Sequence, residues 1–322
     1  MRLATIDIGT NTAQLLVTEI ENEVLNRLHV DEQFVRLGEG VDASGRIAAD
    51  AQDRLLDTLR SHRDTARDYG VHQIVVAGTS VLRDATNRDE VLSRIKNELQ
   101  LPVDVLSGED EAAWSFAAAC DAFPDLSGHC LVVDVGGGST ELIAGTNPSL
   151  HTPRYVDAIT GRTSLDVGCV RLTERCFSEQ PPGDENVAAV EDLIDTTLQD
   201  TSLPVGPDLT VVGTAGTATA LARVHAGPNT RWDALHGNGF TLSRADVRHW
   251  RDRLLTLSVD DIRALHPAAM EGRADVFTVG VLLLDRVLAH CDVDELCVSP
   301  YELRHGLALQ WHTRNSALAT SS

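Results

Sequence analysis

The stretch that most limits what this chain can become is Leu131-Val132-Val133-Asp134-Val135-Gly136-Gly137-Gly138-Ser139-Thr140-Glu141-Leu142-Ile143. An apolar, β-branched run ends in an aspartate, three glycines and two hydroxyls follow, and the apolar run resumes after a glutamate. That pattern reads as strand, tight turn, strand. Glycines let backbone N–H groups come close to a ligand and take φ > 0. Successive N–H groups in such a turn form a concavity suited to an anion. Ser139 and Thr140 add hydroxyl donors. Asp134 and Glu141 bracket the turn with oxygens suited to a hard cation. A plain hairpin would need the glycines but not the two carboxylates, so the stretch reads as a phosphate site.

The same design stands at the N-terminus: Leu3-Ala4-Thr5-Ile6-Asp7-Ile8-Gly9-Thr10-Asn11-Thr12-Ala13-Gln14-Leu15-Leu16-Val17. One Asp-x-Gly-Thr is a weak signal, but a pair half a chain apart points to duplicated halves, each with a phosphate loop. This arrangement resembles the actin-like ATPase and sugar-kinase superfamily. It implies an α/β chain of two ribonuclease-H-like domains with an interdomain cleft.

The order of elements agrees. Residues 3–8, 13–20 and 23–30 read as a meander of three strands, followed by a loop from Phe34 to Val41. Leu55, Leu56, Leu59 and Ala66 fall at helical spacing between Ala48 and Tyr69. Strand 74–77, helix 87–99, strand 103–106 and a helix from about 108 to 122 complete a βββαβαβα half. The turn-rich run from Pro124 to His129 places the boundary, giving domains 1–124 and 125–322. In the second half, strands are expected at 131–135, 141–145 and 209–213, with a third extended region within 151–167. Helices are expected at 172–177, 185–199, 218–224, 273–290 and 302–311. Ser243-Arg244-Ala245-Asp246 resembles a capping box opening a helix to Leu257. The last strand is 295–299, and the tail from Thr313 is expected to fray.

With 322 residues the chain is long enough for two domains. Its net charge of −21 argues against general binding to nucleic acid or to an anionic membrane. That charge also means that local donors and a cation must hold any polyanion inside a negative envelope. There is one lysine, Lys96, against 26 arginines. No signal peptide and no apolar run of membrane-spanning length stand in the sequence, so the expectation is a cytoplasmic protein. The six cysteines show no C-x-x-C pairing and read as reduced, mostly buried thiols.

Several further motifs narrow the resemblance over about residues 1–310. They are Thr79-Ser80-Val81-Leu82-Arg83-Asp84-Ala85, Gly108-Glu109-Asp110-Glu111-Ala112 and Gly168-Cys169-Val170-Arg171-Leu172-Thr173-Glu174. Gly213-Thr214-Ala215-Gly216-Thr217, His236-Gly237 and Gly272-Arg273-Ala274-Asp275-Val276 join them. With the two hairpins, they resemble the exopolyphosphatase/guanosine pentaphosphate phosphatase (Ppx/GppA) family. One departure is Tyr301-Glu302-Leu303-Arg304, where the family usually has a Gly-Leu-Arg turn.

The resemblance implies a phosphoanhydride hydrolase that uses Mg²⁺ (or Mn²⁺) and releases orthophosphate from polyphosphate. Guanosine pentaphosphate is the alternative substrate, and a nucleotide-gated actin-like regulator the alternative of another class. A homodimer is compatible with the family. Glu111 falls on the family's catalytic base, and Asp134 and Glu141 on its metal-associated acids, with Asp7 joining through water. Glu109 and Asp110 compete with Glu111, since acids in a first helical turn ordinarily offset the helix dipole. Arg83 stands where a guanidinium can hold phosphate; its alternative is an ion pair with Asp84 or Asp89. Asn11, Thr12 and the loop Gly137, Gly138, Ser139 and Thr140 would hold the terminal phosphates. The Gly213–Thr217 turn would take more polyphosphate or the guanosine end of a nucleotide. His236 reads as structural.

Overall fold

The structure is a computed structural model that describes residues 1–21, 24–125, 128–146, 158–206, 208–230 and 240–319. The chain separates into two compact units, the first from Met1 to Ala118 with the C-terminal helix, the second from Ala119 to Glu302.

Unit 1 begins β1 (Arg2–Ile8), β2 (Thr12–Glu21), β3 (Val24–Phe34), α1 (Val41–Ser44) and α2 (Ala49–Asp68). It continues β4 (Gln73–Gly78), α3 (Ser80–Asp84), α4 (Arg88–Leu99), β5 (Asp104–Val105) and α5 (Gly108–Ala122), whose last turn runs into unit 2. Its sheet has the order β3-β2-β1-β4-β5. The meander is antiparallel, and β4 and β5 join in parallel after helical crossovers. Central β1 buries Leu3, Ala4, Ile6 and Ile8 on both faces, as a strand covered on both sides must. The α2 stripe Leu55, Leu56, Leu59 and Ala66 is buried against that sheet, as its spacing predicts.

Unit 2 repeats the plan. It holds β6 (His129–Val135), β7 (Thr140–Thr146), β8 (Ile159–Leu165), α6 (Cys169–Cys176), α7 (Asp184–Gln199), β9 (Thr210–Thr214) and α8 (Ala215–Ala226). Then come β10 (Phe240–Ser243), α9 (Arg244–Leu254), α10 (Val259–Leu265), α11 (Pro267–Met270), α12 (Phe277–Cys291) and β11 (Glu295–Val298). The sheet order is β10-β11-β9-β6-β7-β8. Strands β8-β7-β6-β9-β11 therefore match β3-β2-β1-β4-β5, with β10 added at the edge. Each unit is ribonuclease-H-like, and the fold is the duplicated α/β one that the paired hairpins imply. The capping box at Ser243 and Asp246 is present, with both reciprocal bonds. Helix α12 is apolar almost all round and is the buried helix of the unit.

The structure differs from the sequence reading in several places; α1, α3, β10, α10 and α11 were not expected, α6 starts at Cys169 rather than Leu172, and α9 ends at Leu254 rather than Leu257. β3 extends through Phe34, because its pairing with β2 continues to Thr12 opposite Phe34. The helix expected from Arg273 starts at Phe277, since Gly272 takes φ 63° and residues 271–276 turn. The last helix, α13 (Leu303–Ala319), runs on past Thr313, where fraying was expected. It also packs in unit 1 rather than with residues 125–302. Ala308 sits on Leu3, Leu16 and Ile20, and Leu303 and Leu307 sit with Ala77, Leu106 and Trp114. The Thr5 hydroxyl donates to the Arg304 carbonyl at 2.7 Å. The third extended region is described from residue 158 on; 151–157 and the His236-Gly237 motif lie outside the described residues. All six cysteines are free thiols, four of them buried. Among the described residues no helix is long and apolar enough to cross a membrane.

Candidate active site

In unit 2 the turn between β6 and β7 is closed by Gly136 N–H donating to the Ser139 carbonyl at 3.0 Å. A Cβ on Gly136 would lie 3.1 Å from that oxygen, a tight contact that glycine avoids. Gly136, Gly137 and Gly138 are not among the glycines with positive φ, which corrects the conformational reason expected for them. The outer side of the turn is fixed by α6. Cys169 N–H donates to Gly136 O at 3.0 Å, and the N–H groups of Val170 and Arg171 donate to Gly137 O at 2.9 and 3.1 Å. A Cβ on Gly168 would stand 2.4 Å from Gly137 O, so this helix start must be glycine. In a planar trans peptide the C=O and the following N–H point in opposite directions. With the Gly136 and Gly137 carbonyls aimed at α6, the N–H groups of Gly137 and Gly138 point away from it. That is the orientation an anion-binding turn requires.

The hydroxyls of this loop are engaged inside the unit. Thr140 Oγ1 donates to the Val167 carbonyl at 2.5 Å, and Ser139 Oγ donates to Glu141 Oε1 at 2.8 Å. Both residues are buried. Asp134 and Glu141 pair directly across β6 and β7 and are 7% and 1% exposed. Ser164, opposite Glu141 on β8, gives it a second hydroxyl at 2.6 Å. Ser164 stands in no local motif; only the three-strand register brings it to Glu141.

The hairpin of unit 1 has the same frame. Gly9 N–H donates to Thr12 O at 2.9 Å, and Asp7 pairs with Gln14 as Asp134 does with Glu141. Its carbonyls are held by a loop instead of a helix. Gly38 N–H donates to Thr10 O at 2.8 Å and Arg36 N–H to Asn11 O at 2.9 Å. The same peptide geometry turns the N–H groups of Asn11 and Thr12 away from that loop. Arg36 adopts φ 47°, in the left-handed region. Gln14 Nε2 lies 3.5 Å from Glu32 on β3, so the row across this sheet is Asp7, Gln14, Glu32.

Also in unit 1, Arg83 on α3 meets Glu111 on α5. Nη1 of Arg83 donates to Glu111 Oε2 at 2.5 Å and to the Leu106 carbonyl at 3.1 Å. The expected alternative partners were Asp84 and Asp89; the observed one is Glu111, brought near by the β4–β5 crossover. Glu109 and Asp110 are exposed, and Asp110 is bound to Ser107 as the helix cap, whereas Glu111 is buried. The three acids of that turn are thereby separated: two face water and one is held inside by a guanidinium.

In unit 2 the Gly213–Thr217 turn opens α8 with Ala215 at φ 62°. Arg273 Nη1 donates to Gly216 O at 2.7 Å, and a Cβ on Gly216 would meet that nitrogen at 2.3 Å. Thr217 Oγ1 donates to Val135 O at 3.3 Å, tying this turn to the end of β6. Glu302, at the point of departure from the Gly-Leu-Arg pattern, is buried, as is Arg304.

The family model described as the Ppx/GppA phosphatase family matches residues 16–315. The chain belongs to that family. Among its relatives, Exopolyphosphatase 2 of Mycobacterium tuberculosis is 31% identical over 96% of this chain and 98% of its own. Exopolyphosphatase 1 of Mycobacterium bovis is 30% identical over 96% and 88%. The crystal structure of an exopolyphosphatase from Cytophaga hutchinsonii matches with TM-score 0.84 at 29% identity, covering 95% of this chain and 96% of the other. The Ppx/GppA family member of Aquifex aeolicus matches with TM-score 0.80 at 27% identity, over 98% of both chains. The chain is therefore a phosphoanhydride hydrolase of this family.

Proposed function

We propose that this chain is an exopolyphosphatase, which hydrolyses the terminal phosphoanhydride of inorganic polyphosphate and releases orthophosphate. The observation that carries the reading is the buried carboxylate of Glu111 at the first turn of α5, clasped by Arg83. A structural acid in a first helical turn would face water, as Glu109 and Asp110 do. In the reaction, a water oxygen forms a bond to the terminal phosphorus in line with the anhydride oxygen, which leaves with the bonding pair on the shortened chain. Glu111 orients that water and takes its proton. The N–H groups of Asn11 and Thr12 in unit 1, and of Gly137 and Gly138 in unit 2, are assigned to phosphate oxygens. The Ser139 and Thr140 hydroxyl protons are donated to Glu141 and to the Val167 carbonyl, so these side chains shape their loop and reach phosphate only through water.

Asp134 and Glu141 are assigned to a divalent cation, Mg²⁺ or Mn²⁺, with Asp7 reaching it through water. The residues fit such an ion. Two carboxylates directly opposite on one hairpin repel each other, and a cation offsets that repulsion. Among the described residues no group of three or more His, Cys, Asp or Glu converges. Two carboxylates completed by water and phosphate oxygens is the usual protein share for Mg²⁺. When bound, the cation supplies charge neutralisation on the phosphate oxygens. The same reading places the enzyme in the cytoplasm, in keeping with free cysteines and the acidic surface.

The test is orthophosphate release from polyphosphate, guanosine pentaphosphate and ATP side by side with Mg²⁺. Polyphosphate is expected to give the highest kcat/KM. Glu111→Gln should lower kcat by ~10²–10⁴ with little change in binding, and Glu109→Gln should be mild. Faster turnover of guanosine pentaphosphate would replace the substrate. Tight ATP binding without release from any of the three would favour an actin-like regulator. Equal losses at Glu111 and Glu109 would remove the base assignment.

A further inference from the structure

The guanidinium of Arg83 is used on one edge only. It carries five N–H donors in a rigid fork. Nη1 spends its two on the Leu106 carbonyl and on Glu111. Among the described residues, Nε and Nη2 have no protein hydrogen bond, and the side chain keeps 21% of its surface exposed. Leu106 ends the β5 region and Glu111 lies on the first turn of α5, so the Nη1 contacts lock the guanidinium to the start of that helix. The free Nε–Nη2 edge is the one that takes an oxyanion in two parallel bonds.

We propose that Arg83 is a positioning residue that bridges Glu111 and the terminal phosphate. One rigid plane then sets the separation between the proton-accepting carboxylate and the phosphorus under attack. This rests on the reading of Glu111 as the base. It goes beyond phosphate binding, because a residue that only held phosphate would need no link to Glu111. A lysine at the same place keeps the charge but offers a point ammonium, which cannot hold a carboxylate, a carbonyl and a bidentate phosphate in one plane.

The proposal makes a kcat-against-binding distinction. Arg83→Lys should lower kcat by roughly 100-fold, the order expected for a misplacement of about 1 Å, while raising the dissociation constant for orthophosphate by less than about tenfold. Arg83→Ala should lose both, and guanidinium ion in solution should restore part of its kcat. The deciding measurement is a double-mutant cycle on kcat with Glu111→Gln. If Arg83 acts through Glu111, Arg83→Lys should cost only a few-fold in the Glu111→Gln background.

Losses that multiply in the double variant, or an Arg83→Lys variant with wild-type kcat and weakened phosphate binding, overturn the bridging role and leave the base assignment standing. Wild-type kcat in Glu111→Gln alone overturns the base assignment itself. Thermal melting of each variant separates misfolding from either result. Orthophosphate affinity by calorimetry gives a readout that does not depend on turnover.

Discussion

The two hairpins are built on one frame and carry different chemistry. Both turn through an Asp-x-Gly run closed by a single N–H to C=O bond of 2.9 or 3.0 Å, and both have their carbonyls pulled to one side. In unit 1 the row across the sheet is Asp7, Gln14, Glu32; in unit 2 it is Asp134, Glu141, Ser164. The first row separates its acids with an amide. The second sets two buried acids side by side and supplies hydroxyls from Ser139 and Ser164 to one of them. An amide between carboxylates relieves repulsion without a cation, whereas adjacent buried carboxylates favour one. The duplication gives each unit a turn of the same frame, and under the proposed function the position after the turn decides which unit is suited to metal.

The strongest way to break that contrast is to remove the acids one at a time. Asp134→Asn and Glu141→Gln should each raise the Mg²⁺ needed for half-maximal activity by at least the roughly 10–100-fold typical of losing an outer-shell partner. Asp7→Asn should shift it less. An equal Mg²⁺ shift in both hairpins would abolish the distinction drawn between them. Ser164→Ala should fall in the lower part of that same range, because it frees Glu141 to rotate without removing an acid. Activity titrated with Mg²⁺ at fixed substrate reads it, and an unchanged curve would make Ser164 a bystander.

The supports of the two turns come next. Gly168→Ala pushes a Cβ onto the backbone of Gly137 and Gly138, at 2.4–2.5 Å. Gly38→Ala meets the Thr10 side-chain methyl at 2.1 Å and its carbonyl only at 3.4 Å. Backbone has less freedom to give way than a side chain. Gly168→Ala should therefore cost about 1–3 kcal/mol of stability and Gly38→Ala the lower end of that range, both read from denaturant unfolding. The reverse order would mean that the loop around Gly38 is the stiffer support. Smallest is Gln14→Glu, which copies the Glu141 position of the second hairpin into unit 1. It should destabilise by roughly 0.2–1 kcal/mol through like charges opposite Asp7 and Glu32, with Mg²⁺ recovering part of the loss. Full stability without Mg²⁺ would show that adjacent acids in this frame need no cation.

Much of this was legible before any coordinates. The strand–turn–strand repeats, the α2 stripe and the Ser243–Asp246 cap are all relations between residues a few positions apart, and each appears where the spacing puts it. The pairing of Arg83 with Glu111 was not legible. Local sequence offered Asp84 and Asp89 as partners, and only the packing of α3 against the start of α5 selects an acid 28 positions away. The Gly136–Gly138 run was legible as a special turn, but not the reason for it. Left-handed backbone and close approach leave the same letter in a sequence; none of the three takes positive φ, and at Gly136 the structure shows a close approach to the Ser139 carbonyl.

What the chain order determined by itself is the doubly repeated α/β plan and the place of each glycine turn, because those depend on periodicities of two and 3.6 residues and on turn chemistry within a few positions. What only the tertiary structure decided is which groups meet. Ser164 reaches Glu141 through the β7–β8 register, the α6 N-terminus takes the carbonyls of the second turn, and α13 returns to cover Leu3, Leu16 and Ile20 in unit 1. Each of these joins residues far apart in sequence. Their encounter is set by which apolar faces must be covered and which buried polar groups must find partners, and no local pattern records that choice.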